Sequence, residues 1–313
     1  MDAVLLFWLL SGTFSVALTI FLIVLLSSQK VFSYSFYRLV LVGLILNLLC
    51  WINTWPHRLM FRTEGEKFIL PIFSIVPGLI RMSCGVFCQT FFHIQSLCII
   101  FTCVHRLTSS MFKNANQLWN QYYLFLYGAI TMISLFVANQ FTYRKLDFDY
   151  ETRKFVSTPL PPVSNKMLFI ASTFFQEEYN IGDRWILIFI TFYFTTILIL
   201  SLCTFVAIRK RLKNHSQYEN VRRRLTQITL ANAIIYLIVL LWKLARSYIP
   251  YTYSIDVLMT VSDLVTFSMS YMMVLFDKNV QKVMKHCARV VPKLVDPGAV
   301  SSSRNSVIGN LRY

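Results

Sequence analysis

Long apolar segments alternate with short polar ones along almost the whole chain. Seven of these segments reach about 20 residues, the length that an α-helix needs to cross the hydrocarbon core of a bilayer. Their apolar residues are continuous rather than alternating, which favours helices over the strands of a transmembrane barrel. The predicted spans are Leu5–Leu26, Phe36–Trp55, Ser83–Val104, Tyr122–Phe141, Arg184–Ile208, Thr226–Ala245 and Ser254–Phe276.

The composition agrees with a protein that lies within the membrane. Hydrophobic residues make up 56% of the chain and charged residues 14%, whereas roughly a quarter of a soluble domain is charged. Residues 1–4 contain Asp2 and no Lys or Arg, so the first span is expected to be retained rather than cleaved as a signal peptide. The sequence therefore predicts an all-α, multi-pass bundle of seven transmembrane helices over residues 1–276.

The distribution of basic residues predicts the orientation of the bundle. With the N-terminus outside, and Arg246 at a border set aside, the inner segments hold seventeen Lys and Arg residues and the outer ones hold nine. An excess of Lys and Arg marks the cytoplasmic side. The basic runs adjoin spans, which argues against a nucleic-acid partner. The inner segments are 28–35, 105–121, 209–225 and 277–313, and the outer ones are 1–4, 56–82, 142–183 and 246–253.

Two outer segments are long enough to have structure of their own. Segment 56–82 contains the apolar stretch Phe68–Ile80, broken by Pro71 and Pro77, and it either dips into the membrane interface or extends the third span outward. Segment 142–183 is the longest loop, and its length predicts a lid over an outer cavity.

The segment after the seventh span is amphipathic. Residues 277–291 place Val280, Val283, Met284 and Cys287 on one helical face, which predicts a helix lying on the inner leaflet of the lipid bilayer. Cys287 is a candidate palmitoylation site, with a free cysteine packed at the interface as the alternative. Residues 292–313 are rich in Ser and are expected to form a disordered cytosolic tail.

Polar residues inside the spans predict a ligand cavity in the outer half of the bundle. Ionisable groups are costly at membrane depth and are usually paired or functional. Helical spacing puts such residues on shared faces of the third, sixth and seventh spans. The candidate ligand-binding residues are Gln89, His93, Tyr236, Lys243, Arg246, Asp256 and Asp263.

Each of these candidates has a structural alternative. Lys243 and Arg246 can snorkel to the interface, and Asp256 can neutralise one of them. His93 can be a hydrogen-bonded packing residue. Asp263 lies too deep to snorkel, and its face also carries Asp256, Thr260 and Phe267. We expect Asn47, near the middle of the second span, to be the partner of Asp263, and Lys243 to be available to an acidic ligand.

The architecture resembles that of G-protein-coupled receptors. The third span ends with Cys103–Leu107, and Arg106 takes the place of the arginine that in rhodopsin-like receptors holds the inactive state and engages the G protein. The rhodopsin-like pattern is otherwise incomplete. The seventh span reads Met269–Met273 where that class has Asn-Pro-x-x-Tyr, and the long outer loop has no cysteine for Cys84 or Cys88.

Four ordered runs are similar to the nematode serpentine receptors of class gamma. Their order and spacing agree from Ser35 to Val280, and the sibling class V carries a similar pattern. The resemblance implies a chemosensory receptor of the plasma membrane, located in the cilia of sensory neurons. The runs are Ser35–Val40 (SFYRLV), Asn47–Trp55 (NLLCWINTW), His105–Ser109 (HRLTS) and Phe276–Val280 (FDKNV).

Three functions are compatible with a multi-pass chain, and the sequence favours a receptor for a small external chemical cue. A transporter or channel is the alternative, although no internal repeat is visible. A membrane zinc hydrolase is disfavoured because the five histidines are scattered over both sides, so no metal or cofactor is expected. The residues predicted to meet a heterotrimeric G protein are Arg106, Arg209, Lys210, Arg211, Arg222, Arg223 and Arg224.

Overall fold

The computed structural model describes most of the membrane region of the chain. Packing divides the chain into two units, 1–270 and 271–313, and each is described by itself. The described residues are 3–60, 62–76, 78, 82–142, 144–149, 154–159, 181–212, 218–249 and 251–295.

Helices dominate the described residues. Short 3₁₀ turns lie at Lys30–Phe32 and Arg246–Tyr248, and π-helical turns lie at Ser83–Phe87 and Ala138–Thr142. The helices are α1 (Ala3–Ser28), α2 (Ser35–Met60), α3 (Thr63–Ile75), α4 (Cys88–Met111), α5 (Ala115–Val137), α6 (Ile181–Leu212), α7 (Tyr218–Ala245), α8 (Tyr251–Phe276) and α9 (Lys278–Val295).

The prediction of an all-α, multi-pass membrane protein is confirmed. In the part of the chain that the structure describes, six helical segments are long and apolar enough to cross a bilayer. The remaining predicted span corresponds to α7, in which the described residues Leu230–Ala245 form a shorter apolar helix. The six segments are Ala3–Ser28, Ser35–Met60, Gly85–Met111, Ala115–Gln140, Arg184–Lys210 and Tyr253–Phe276.

Several helices extend beyond the apolar stretches that predicted them. α2 continues to Met60, past Pro56, and α4 and α5 leave only Phe112–Asn114 between them. Backbone groups at the membrane interface still favour helical hydrogen bonds even where the side chains are polar, so apolar length underestimates helix length.

The described parts of the two long outer segments are ordered structures. The helix α3 packs Ile69 and Phe73 against Met60 at the end of α2. In the other segment, β1 (Arg144–Asp149) and β2 (Lys154–Pro159) form an antiparallel hairpin in which Phe148 pairs with Phe155. The prediction of a lid rests largely on residues 160–180, which lie outside the described residues.

The helix α4 is the centre of the first unit. On one side, Ile94 joins a cluster with Leu39 of α2 and with Trp119 and Tyr127 of α5. On the other side, Ile99, Ile100 and Cys103 pack against Tyr193 and Ile197 of α6 and Tyr236 of α7. Both flanks of α4 are therefore buried in protein, and a change in its position would be felt by four other helices.

In the second unit, Asp277 forms the N-terminal cap of α9. Its Oδ1 accepts hydrogen bonds from the backbone N–H groups of Asn279 (2.8 Å) and Val280 (3.1 Å), which satisfies donors that the first helical turn leaves open. The side chain of Cys287 lies outside the described residues, as do residues 296–313, so the lipidation and tail predictions remain predictions.

The predicted orientation can be tested with terminal tags. Because the basic residues favour the side that holds the α1–α2 and α6–α7 connections, we expect an N-terminal tag to be stained on intact cells and a C-terminal tag only after permeabilisation. Staining of both tags on intact cells would contradict the seven-span topology.

Below, the end of the bundle that contains Ala3 and Met60 is called the predicted outer end, and the opposite end the predicted inner end.

Candidate functional site

A buried ion pair joins α2 to α8. The Nη1 of Arg58 donates to Oδ2 of Asp263 at 2.9 Å, and its Nη2 donates to Oδ1 of the same carboxylate. Only 1% of Arg58 is exposed. A bidentate pair of this kind fixes both distance and orientation, so it holds the last turns of α2 against the middle of α8.

Two indole rings flank the guanidinium of Arg58. Its Cζ lies 5.3 Å from the ring centroid of Trp8 on α1 and 5.4 Å from that of Trp55 on α2. Both distances are within the range of cation–π attraction. The indole N–H of Trp8 donates to Oγ1 of Thr260 on α8 at 3.2 Å, so the ring connects α1 to the same pair of helices.

A second ion pair involves Arg62, the N-cap residue of α3, which lies two residues beyond the end of α2. Arg62 Nη2 donates to Oδ1 of Asp256, and the Arg62 guanidinium lies 5.3 Å from the Trp8 ring. These side chains are 19% and 23% exposed, so solvent weakens this pair more than the first one. The two pairs and Trp8 together form a ladder, here called the polar ladder, between α1, α2 and α8.

The prediction that Asn47 is the partner of Asp263 was wrong. Asn47 Nδ2 instead donates to the backbone carbonyl of Thr266 at 2.7 Å, and Asn47 Oδ1 accepts from Gln95 Nε2 at 3.1 Å. Asp263 binds Arg58 because α2 continues past Pro56 and carries that residue back towards α8. The sequence placed Arg58 in an outer loop, since the apolar stretch ends at Trp55.

A small polar network lies deeper in the bundle. Gln95 of α4 donates to Thr266 Oγ1 at 3.0 Å and so links α2, α4 and α8. A cavity of about 30 Å³ beside it is lined by Asn47, Gln95, Thr102 and Ser268, among other residues. This volume has room for about two water molecules. The network shows that the three helices meet through polar side chains at mid-depth.

Two predicted ligand contacts, His93 and Tyr236, lie in a packed aromatic cluster. His93 Nδ1 is 2.7 Å from the hydroxyl of Tyr193, and its ring lies edge-on to Phe189 at 5.0 Å. Tyr236, 1% exposed, packs in the same region of α4, α6 and α7. Gln89 is half-buried one turn before His93.

The structure thus separates the predicted ligand contacts into two groups. Asp256 and Asp263 face α2 in the polar ladder, while His93 and Tyr236 face α6 and α7. Lys243 ends α7, and Arg246 begins the turn that follows it. Both side chains are half-buried, and their ligand role remains a prediction.

At the predicted inner end, two distant sequence motifs meet at Ser35. Its hydroxyl donates to Oδ1 of Asn116 at 2.8 Å and lies 2.7 Å from Nε2 of His105, and its backbone N–H donates to the same Asn116 oxygen at 2.9 Å. With the Ser35 proton directed at Asn116, His105 donates from Nε2. The hydroxyl of Ser35 therefore connects α2, α4 and α5.

Arg106 lies beside this cluster. Its Cζ is 5.2 Å from the ring centroid of Phe36, so an aromatic face from α2 meets the arginine predicted to contact the G protein. Arg209 and Lys210 are exposed at the end of α6, whereas the side chains of Arg211 and Arg222–Arg224 lie outside the described residues.

Comparison with known proteins assigns the chain to a family. The sequence model of the Srg family chemoreceptors matches residues 5–284. The chain is 36% identical over 286 residues to serpentine receptor class gamma-53 of Caenorhabditis elegans, covering 91% of this chain and 92% of the relative. It is 26% identical over 292 residues to serpentine receptor class gamma-47 of the same nematode, covering 87% of each. The chain therefore belongs to the Srg chemoreceptor family.

Proposed function

We propose that this protein is a chemosensory receptor that binds an external chemical cue in the predicted outer half of the bundle and signals to a heterotrimeric G protein at the inner end. The observation that carries the proposal is the family match over residues 5–284. This range includes the residues of the polar ladder and the contacts of Ser35 and Arg106 at the predicted inner end. The protein would act at the plasma membrane, in the cilia of sensory neurons.

The ligand would act by shifting a population of helix arrangements. α2 carries Arg58 of the polar ladder near one end, and Arg62 follows two residues after that end. At its other end, Ser35 contacts His105 and Phe36 lies against Arg106. A ligand that binds more tightly to one arrangement stabilises it. A displacement of α2 at the ladder would therefore change the surroundings of Arg106, which supports coupling between the two ends.

The ligand contacts would come from both groups of outer residues. Lys243 and Arg246 would raise the local positive potential and attract a cue with an acidic group, while the remaining contacts would position it. The proposed contacts are Gln89, His93, Tyr236, Lys243, Arg246, Asp256 and Asp263.

The direct test is a second-messenger response. Cells that express the full chain are exposed to fractions of nematode secretions, and calcium and cAMP are recorded with and without inhibition of the G proteins. A response that requires both the chain and the G protein is expected. Uptake of a solute or an ionic current that persists under inhibition would instead favour a transporter or channel.

Arg106→Ala is expected to abolish the response at unchanged surface expression. The cation–π contact with Phe36 is worth only about 0.5–2 kcal/mol, so its loss should leave the fold intact while removing the charge offered to the G protein. Ligand binding and antibody-labelled surface protein are measured alongside the second messenger.

Arg38→Ala is the matched control for this variant. Arg38 is also a basic residue over an aromatic ring at the same end, 5.9 Å from the centroid of Tyr123, and it is exposed. Its replacement should preserve the response. Equal responses of the Arg106 and Arg38 variants would assign Arg106 to anchoring in the membrane interface rather than to coupling.

A further inference from the structure

One side-chain nitrogen of Arg58, Nε, makes no hydrogen bond within the polar ladder. A guanidinium carries five N–H donors, and Asp263 accepts from the two terminal nitrogens. The Nε of Arg58 is buried and has no hydrogen-bond partner among the described residues. Buried donors are nearly always satisfied by protein, water or ligand, so this N–H indicates an acceptor that the described residues do not supply.

Two further unused donors lie on the same face of α2. The indole N–H groups of Trp51 and Trp55 are also buried without a partner in the described part of the chain. Residues 51, 55 and 58 follow helical spacing, the two indole centroids are 5.3 Å apart, and Arg58 Cζ lies 5.4 Å from the Trp55 ring. We call Trp51, Trp55 and Arg58 the donor stripe.

The charge of the surrounding ladder decides which kind of acceptor fits. Arg58 pairs with Asp263 and Arg62 pairs with Asp256 among the described residues, so these four side chains are neutral together. An added anion would be buried without a countercharge, which is strongly unfavourable. A neutral carbonyl oxygen accepts hydrogen bonds at no such cost.

The rings of the stripe supply the apolar part of the site. Trp51 and Trp55 are half-buried although their N–H groups are fully buried, so part of each ring remains available for packing. Indole faces bind flat or flexible hydrocarbon well. A ligand with a carbonyl group on an apolar body matches both features.

We propose that the donor stripe of α2 binds a neutral, carbonyl-bearing apolar molecule, whose oxygen uses its two lone pairs to accept hydrogen bonds from Arg58 Nε and the indole N–H of Trp55, while the Trp51 ring packs against the apolar body. This inference rests on the proposed receptor function and specifies its ligand class. It differs from the acidic cue that Lys243 and Arg246 would attract, and the two ligand classes can be compared directly.

The test uses the purified full-length chain in detergent, without a G protein. Thermal unfolding is recorded over a concentration series of 2-nonanone, with nonane and octanoate as probes that lack the carbonyl or carry a charge. The ketone is expected to raise the unfolding temperature at concentrations where nonane and octanoate do not. Equal or greater stabilisation by octanoate, or no effect of the ketone, would overturn the proposal.

Two substitutions locate the site. Trp55→Phe keeps an aromatic ring and removes the N–H, and Arg58→Lys keeps a charge for Asp263 and removes Nε. Each is expected to raise the apparent Kd of the ketone about fivefold to tenfold, the effect of losing one buried hydrogen bond. Trp242→Phe is the control, because the indole N–H of Trp242 already donates to the carbonyl of Ser254 at 3.2 Å. The Kd of the ketone for this variant should equal that for the unsubstituted protein.

The outcomes separate this inference from the proposed function. Ketone binding that depends on Trp55 and Arg58, combined with the absence of any G-protein response, would refute signalling and leave the site standing. A G-protein response together with ketone binding that is unaffected by either substitution would refute the site and leave the receptor function standing.

Discussion

Replacing Asp263 by alanine is expected to remove most of the protein from the cell surface. The substitution leaves Arg58 charged, 1% exposed and without its carboxylate. Breaking a buried ion pair by removing one partner costs about 3–5 kcal/mol, a large part of the stability of an ordinary domain. Surface protein, measured by antibody labelling of an N-terminal tag, should fall several-fold, and Arg58→Ala should leave the opposite charge stranded with a similar result.

The double variant Arg58→Met with Asp263→Leu should recover much of the lost expression. Both charges are gone, and apolar side chains of similar size fill the space, an exchange that is often neutral or stabilising. Asp256→Ala is the matched single change in the more exposed second pair, and its effect should be about 1 kcal/mol or less. If the double variant were no better expressed than either single one, the pair would not be the source of the loss.

The sequence predicted the polar face of α8 but not what it meets. Asp256, Thr260, Asp263 and Phe267 share a helical face by spacing alone, and the structure places them against Arg62, Trp8, Arg58 and Trp51 respectively. Helical periodicity is a property of one element, whereas a partner depends on the rotation and position of another. The partner of Asp263 was therefore missed.

The ends of the helices were harder to predict than their existence. Each of the seven predicted spans is helical in the described residues, and six of these helices are long and apolar enough to cross a membrane. Their ends were less well predicted, since α2 runs five residues beyond Trp55. Those residues include Pro56 and Arg58, which read as loop because proline lacks an N–H and arginine is polar. The helix continues there because Arg58 is stabilised by Asp263 and by two indole rings, contacts that the local sequence does not reveal.

The resemblance of short runs had a spatial basis that spacing alone could not show. The runs that begin at Ser35 and His105 are seventy residues apart, but Ser35 and His105 lie 2.7 Å apart at their polar atoms and Phe36 faces Arg106. Each run alone is a weakly specific motif, because its polar and aromatic residues make their contacts with the other run. Because the two runs contact each other at one end of the bundle, they are expected to occur together in one sequence.

Gly12→Ala is expected to destabilise the bundle although alanine is the better helix former. A Cβ at position 12 would lie 2.8 Å from Cζ2 of Trp51, and that ring is held by Trp55 at 5.3 Å and Phe267 at 6.3 Å between centroids. Overpacking of this kind costs about 1–3 kcal/mol, while the gain in helix propensity is about 1 kcal/mol. Gly12→Leu, which adds far more volume at the same point, should prevent folding.

Gly128→Ala separates the steric effect from the propensity effect. Gly128 lies in α5, and a Cβ there would meet nothing within 4 Å, so alanine should leave the unfolding temperature unchanged or raise it. Thermal unfolding of the purified variants in detergent measures both changes. A Gly12→Ala protein as stable as Gly128→Ala would show that Trp51 can move away from α1, and the close approach of α1 and α2 would then not depend on glycine. Because Trp51 also belongs to the donor stripe, a stable but displaced ring should weaken ketone binding in that variant, which the same titration detects.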